Sequence, residues 1–107
     1  MIVLTREGDK AVIRPSGLDI VASSVPELRT QLRGVVEDGA RQVVVDLSGV
    51  QMVDSSGIGL LIAAHNSLHR LGGKLAVIHA SSDILDLFHM MRIHQHFSVS
   101  GNDGERG

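Results

Sequence analysis

The sequence predicts a single α/β domain with a mostly parallel sheet of about four to five strands, an antiparallel edge hairpin strand and about three helices. Three observations predict it. Val43 to Val45, opening the strand Val43 to Leu47, and Leu75 to Ile78 are unbroken aliphatic runs, the pattern of strands buried on both faces. Segments with apolar residues at helical spacing alternate with them. Finally, Glu7-Gly8-Asp9-Lys10 separates two short β-type runs, Ile2 to Thr5 and Ala11 to Arg14, and Gly8 can supply the positive φ of a tight hairpin turn.

Each element can be justified in order. Pro15 ends the second strand because it brings no ladder donor. Ser16 to Ser23 reads as a loop with one acidic residue, Asp19. Ser24-Val25-Pro26-Glu27 fits a capping box, with Pro26 tolerated in the first turn. Val25, Leu28, Leu32, Val35 and Val36 then recur at helical spacing until Gly39. Gly57 to Leu71 is a second helix closed by Gly72-Gly73, with Gly57, Leu60, Leu61, Ala64, Leu68 and Leu71 as its core stripe. Ile58, Ile62, His65 and His69 fall on another face at i, i+4 spacing. The two isoleucines are either the flank of a wide core face or a partner-binding patch. Ser81-Ser82-Asp83 caps a third helix whose stripe is Ile84, Leu87, Phe88 and Met91. Phe97 to Val99 is a short last strand. Residues 1–100 form the domain, and residues 101–107 read as a flexible polar tail.

Composition removes several function classes. Only 2% of the 107 residues are aromatic, with two Phe and no Trp or Tyr, so the core is aliphatic and no base-stacking platform is available. A formal net charge of −2 gives no electrostatic footprint for nucleic acid. The absence of Cys excludes a disulfide framework, thiol catalysis and thiolate-bound zinc. The N-terminal residues lack the plan of a signal peptide, and no apolar run reaches membrane-spanning length, so a cytoplasmic protein without direct membrane insertion is expected.

The chemistry concentrates at the junction of the central strand with the second helix. Val43 to Leu47 leads through Ser48-Gly49-Val50-Gln51-Met52-Val53 to Asp54-Ser55-Ser56-Gly57. A helix N-terminus carries unpaired N–H groups and partial positive charge, which suit carboxylates, hydroxyls and phosphates. Asp or Ser at such a place serves first as an N-cap, worth about 1 kcal/mol. Asp54 is expected to cap and to position the site, and Ser56 to cap the helix. Gly57 and Gly59 permit close approach of backbone or partner at the first turn.

The run Val-Val-Val-Asp-Leu-Ser-Gly-Val followed by Met-Val-Asp-Ser-Ser-Gly-Ile-Gly-Leu-Leu resembles the STAS domain of bacterial anti-sigma factor antagonists. Leu71-Gly72-Gly73-Lys74, the strand Leu75-Ala76-Val77-Ile78 and the later Ile84-Leu85-Asp86-Leu87-Phe88 extend the similarity over about residues 1–99. The resemblance implies a protein-binding switch rather than an enzyme. Ser55, directly after the aspartate, would be the residue phosphorylated by a partner that is both anti-sigma factor and serine kinase, with Ser56 the competing acceptor, and a serine phosphatase would reverse the mark. The unphosphorylated form would hold that partner. Asp19, Asp54, Ser55, Ser56, Gly57, Ile58, Gly59 and Ile62 are the expected partner-binding residues. The resemblance also admits a second role, a structural subunit of a membrane transport complex with no phosphate chemistry.

The chain departs from the family pattern in two places. Gly17-Leu18-Asp19-Ile20 stands where a Gly-Glu-hydrophobic-Asp loop is common, and a further C-terminal helix is missing. Rival chemistries are weaker. His65 with His69, and His94 with His96 on a strand, are two pairs without a third converging ligand, so no metal and no cofactor is expected. The serines lie outside a Gly-x-Ser-x-Gly context, and no lysine follows the glycines as in a phosphate loop.

Overall fold

In the computed structural model, residues 2–101 are described. Chain order is β1 (Val3–Glu7), β2 (Lys10–Arg14), α1 (Val25–Glu37), β3 (Gln42–Asp46), α2 (Ser55–Arg70), β4 (Lys74–Ala80) and α3 (Ser82–Met90). A short 3₁₀ turn, Ile93–Gln95, leads to β5 (Ser98–Gly101). The strands lie in the sheet in the same order, antiparallel between β1 and β2 and parallel thereafter. Glu7 pairs with Lys10, so Gly8-Asp9 is a two-residue turn, and Gly8 takes φ +62° as that turn requires.

A sheet that advances one strand at each right-handed crossover carries its helices on one side. Burial alternates accordingly. Ala11, Ile13, Val43, Val45, Leu75 and Val77 are sealed beneath Leu28, Leu32, Leu61, Leu68, Ile84 and Phe88 of the helices. Their neighbours Val12, Val44, Ala76 and Ile78 point the other way and are only half-buried. The expectation that the aliphatic strands are buried on both faces is therefore corrected. A β-branched run satisfies an open sheet face as well as a covered one, so its continuity does not report the number of layers.

Other expectations change at element ends. Ser24 precedes α1 but makes no capping hydrogen bond. Its Oγ turns back into the preceding loop, accepting from Val21 N at 3.0 Å and donating to the Asp19 carbonyl. Helix α2 begins at Ser55 rather than Gly57. Leu71, expected in the core stripe, lies past the helix end and is 51% exposed; Met91, beyond α3, is 48% exposed. Ser81 caps α3 as expected, its Oγ accepting from Ile84 N at 3.2 Å. Ser100 and Gly101 belong to β5, where Gly101 pairs with Ala80, so the tail does not begin at residue 101. Residues 102–107 of the expected tail lie outside the described residues.

Candidate functional site

The end of β3 opens into a loop braced by one carboxylate. Asp46 Oδ1 accepts from Ser48 N at 2.9 Å and Ser48 Oγ at 2.6 Å, and His79 Nδ1 stands 2.9 Å away. An ionised carboxylate only accepts, so Nδ1 is the protonated ring nitrogen. Burial works to raise the Asp46 pKa, but the Ser48 hydroxyl and amide and the His79 ring outweigh it and hold the carboxyl below its ordinary range. His79 occupies a left-handed backbone conformation, φ +58°, where the β4–β5 register slips. The Asp-x-Ser pattern after a strand is a sequence signal for the Asx turn; the arrival of His79 depends on that slip and has none.

Beyond this brace, residues 51–54 are zipped to the loop at 19–22. Asp19 Oδ1 accepts from Gln51 N and Met52 N, both at 3.1 Å. Ile20 N donates to Met52 O at 2.9 Å, Asp54 N donates to Ile20 O at 3.1 Å, and Ile20 and Val53 form a parallel bridge. Asp54 has extended backbone and caps α2, its Oδ1 accepting from Gly57 N at 3.0 Å. Its second oxygen, Oδ2, accepts from Ala22 N at 3.2 Å. One side chain thus satisfies a helix donor and ties down a distant loop.

Ser55 and Ser56 follow as the first two residues of α2, and both are exposed. The cap is Asp54, which corrects the expectation that Ser56 fills that place. No acidic side chain lies in the first turn of α2, so positive charge at the helix end is offset only by the cap. Gly59 is exposed with open space around it.

Gly57 and Ile58 do not reach this surface. A Cβ on Gly57 would stand 2.4 Å from the Ile20 carbonyl oxygen and 2.9 Å from Val53 Cγ1. Its bareness therefore lets α2 dock on the loop, and the residue is buried against its own chain. Ile58 is 5% exposed and belongs to the core, which removes it as an apolar anchor for a partner in this conformation. Ile62 is half-buried against the core. Of the two readings open for these isoleucines, the flank of a wide core face describes Ile58. Asp19 is half-buried and holds the Gln51 and Met52 amides, a tie within the chain rather than a free acidic contact. Met52, which the sequence pattern did not single out, is 56% exposed in the same loop.

The histidines do not assemble a metal centre. Among the described residues no group of three His, Asp or Glu converges for one. His65 and His69 have ring centroids 5.8 Å apart on α2, and His65 also packs at 5.8 Å from Phe97. His94 lies in the 3₁₀ turn and His96 just after it, so neither is on a strand as expected. Among the described residues no helix is long and apolar enough to cross a membrane.

The whole arrangement is a small α/β domain with an exposed serine at the mouth of a capped helix. The family model of the STAS domain matches residues 1–104, and the chain belongs to that family. It is 32% identical over 72 residues to an anti-sigma-B factor antagonist of Staphylococcus aureus, an overlap covering 67% of each chain. The fold is that of an anti-sigma factor antagonist from Mycobacterium paratuberculosis, with TM-score 0.82 and 22% identity over 94% of this chain and 84% of that one. It also matches the Bacillus cell fate determinant SpoIIAA in its phosphorylated form, with TM-score 0.73 and 18% identity over 92% of this chain and 90% of the other.

Proposed function

We propose that this protein is an anti-sigma factor antagonist whose hold on its partner is released by phosphorylation of Ser55. In this reading it is a binding module without catalysis of its own. It captures an anti-sigma factor that is also a serine kinase, and a serine phosphatase resets it. The observation that carries the proposal is the position of Ser55, exposed at the first residue of α2 while Asp54 performs the capping.

A phosphoserine brings about −1.5 to −2 charges and three acceptor oxygens. At a helix N-terminus that charge meets unpaired N–H groups and a favourable dipole, so the fold tolerates it. A partner surface fitted to a small hydroxyl meets bulk and unscreened charge instead. A penalty of about 3 kcal/mol at such an interface weakens affinity on the order of a hundredfold. The curated relative and the two solved structures, all named anti-sigma factor antagonists or a cell fate determinant found phosphorylated, support the reading.

The test combines modification and binding. Incubation with ATP and a serine kinase anti-sigma factor from the same cell should add one phosphate, mapped by mass spectrometry to Ser55 and absent from S55A. S55A should still bind that partner, whereas S55D should lose about a hundredfold. Phosphate on Ser56 alone, or full binding by S55D, would sink the proposal.

A further inference from the structure

We infer that the furrow between α1 and α2 binds a free single-chain amphiphile with an anionic head, of the fatty-acid class. The furrow has a volume of about 290 Å³, just under the range of small-molecule sites, roughly 300–1,000 Å³. Its floor is Leu32 and Val36 from α1 with Leu60 and Leu68 from α2. It stays open because Ala63, Ala64 and Ser67 on the facing side of α2 are small.

Two arginines supply the complementary charge. Arg29 and Arg33 line the rim one turn apart on α1, so their guanidinium groups are like-charged neighbours. The ion pairs among the described residues, Arg6 with Asp38 and Asp46 with His79, use neither of them. A carboxylate between the two would take charge-assisted, planar hydrogen bonds and relieve their repulsion. Glu37 stands at the other end of the same rim and repels an anion. The head is thereby placed at Arg29 and Arg33, with the alkyl chain lying along the leucines.

The dimensions and charge disfavour larger occupants. Packed helices lie about 8–10 Å apart, axis to axis, whereas a third helix with its side chains is about 10–12 Å across and would sit above the furrow. A membrane surface is recognised by clusters of about four to eight basic residues. Here Glu27 and Glu37 on α1 and Asp38 after it accompany the two arginines.

Calorimetric titration with laurate below its micelle concentration tests the inference, with dodecanol as the uncharged control. Saturable one-to-one laurate binding is expected. R29Q/R33Q should weaken laurate at least tenfold while leaving dodecanol unchanged, and A63L should weaken both. If A63L alters the circular dichroism spectrum, S67L fills the same furrow and takes its place. Absence of saturable binding would overturn the inference, as would laurate binding indifferent to all these substitutions. So would capture by anionic phospholipid vesicles, or by an acidic amphipathic peptide, that depends on Arg29 and Arg33 while laurate does not bind.

Discussion

Gly57 leaves no room for a side chain against Ile20: a Cβ at residue 57 would lie 2.4 Å from the Ile20 carbonyl oxygen and 2.7 Å from Ile20 Cγ2. That carbonyl already accepts the Asp54 N–H, so it cannot move aside without breaking the zip between the two loops. G57A should destabilise the domain by about 1–3 kcal/mol through overpacking. G59A, two residues further along α2 and facing open space, should stabilise it by up to about 1 kcal/mol, because alanine is the better helix former. Urea unfolding followed by circular dichroism measures both, since a chain without Trp or Tyr offers no useful intrinsic emission.

Asp54 serves two partners with two oxygens, and substitutions can separate them. D54A should cost about 1 kcal/mol for the lost cap, plus the loop tie. D54N keeps one oxygen for Gly57 N but turns an amide donor toward the Ala22 N–H. Hydrogen exchange should then accelerate at Ala22 while Gly57 keeps its protection. Equal acceleration at both amides would contradict this division of labour.

The charge at residue 55 should act oppositely on folding and on binding. S55D places a carboxylate in the first turn of α2, where the helix dipole favours it by about 0.3–1 kcal/mol. Thermal unfolding of S55D should therefore show an unchanged or slightly higher midpoint. A fall in the midpoint would mean that lost binding reflects damage to the fold.

Two titrations shape the acid limb of stability. His65 is held below its ordinary pKa of 6.5, first by burial and then by the charges of His69 and His96. The unfolded chain therefore takes up that proton first, and stability should decline as pH falls through and below about 6.5. A second loss follows at lower pH. Asp46 titrates below its ordinary 3.8 in the fold, so its contribution is present above that value and disappears as pH falls through the folded pKa. H65Q should flatten the first decline and D46N the second, read as unfolding free energy against pH.

Much of the fold was legible because strand and helix periods are local. Val43 to Leu47, the stripe of α1 and the Gly8-Asp9 turn each carry their own signal, and the Asp54-Ser55 junction stands out at the end of one of them. Properties of the assembled molecule were not legible. Ile58 is buried because α2 enters against both the sheet and the 19–24 loop, widening its core face beyond the stripe that spacing marks. Leu71 and Met91 continue a helical stripe in sequence but lie past the helix ends, where the chain has turned away. Ser24 was drawn from its capping role by Asp19 and Val21, partners that exist only once the loop has folded back.

The pairing of residues 19–22 with 51–54 makes the ground around Ser55 a discontinuous surface, two ribbons of chain sewn side by side. A synthetic peptide copying residues 50–62 would carry the serine without its neighbouring ribbon, and so would make a weak decoy. Under the proposed switch, inhibitors of the partner contact would have to imitate a shape rather than a string of letters.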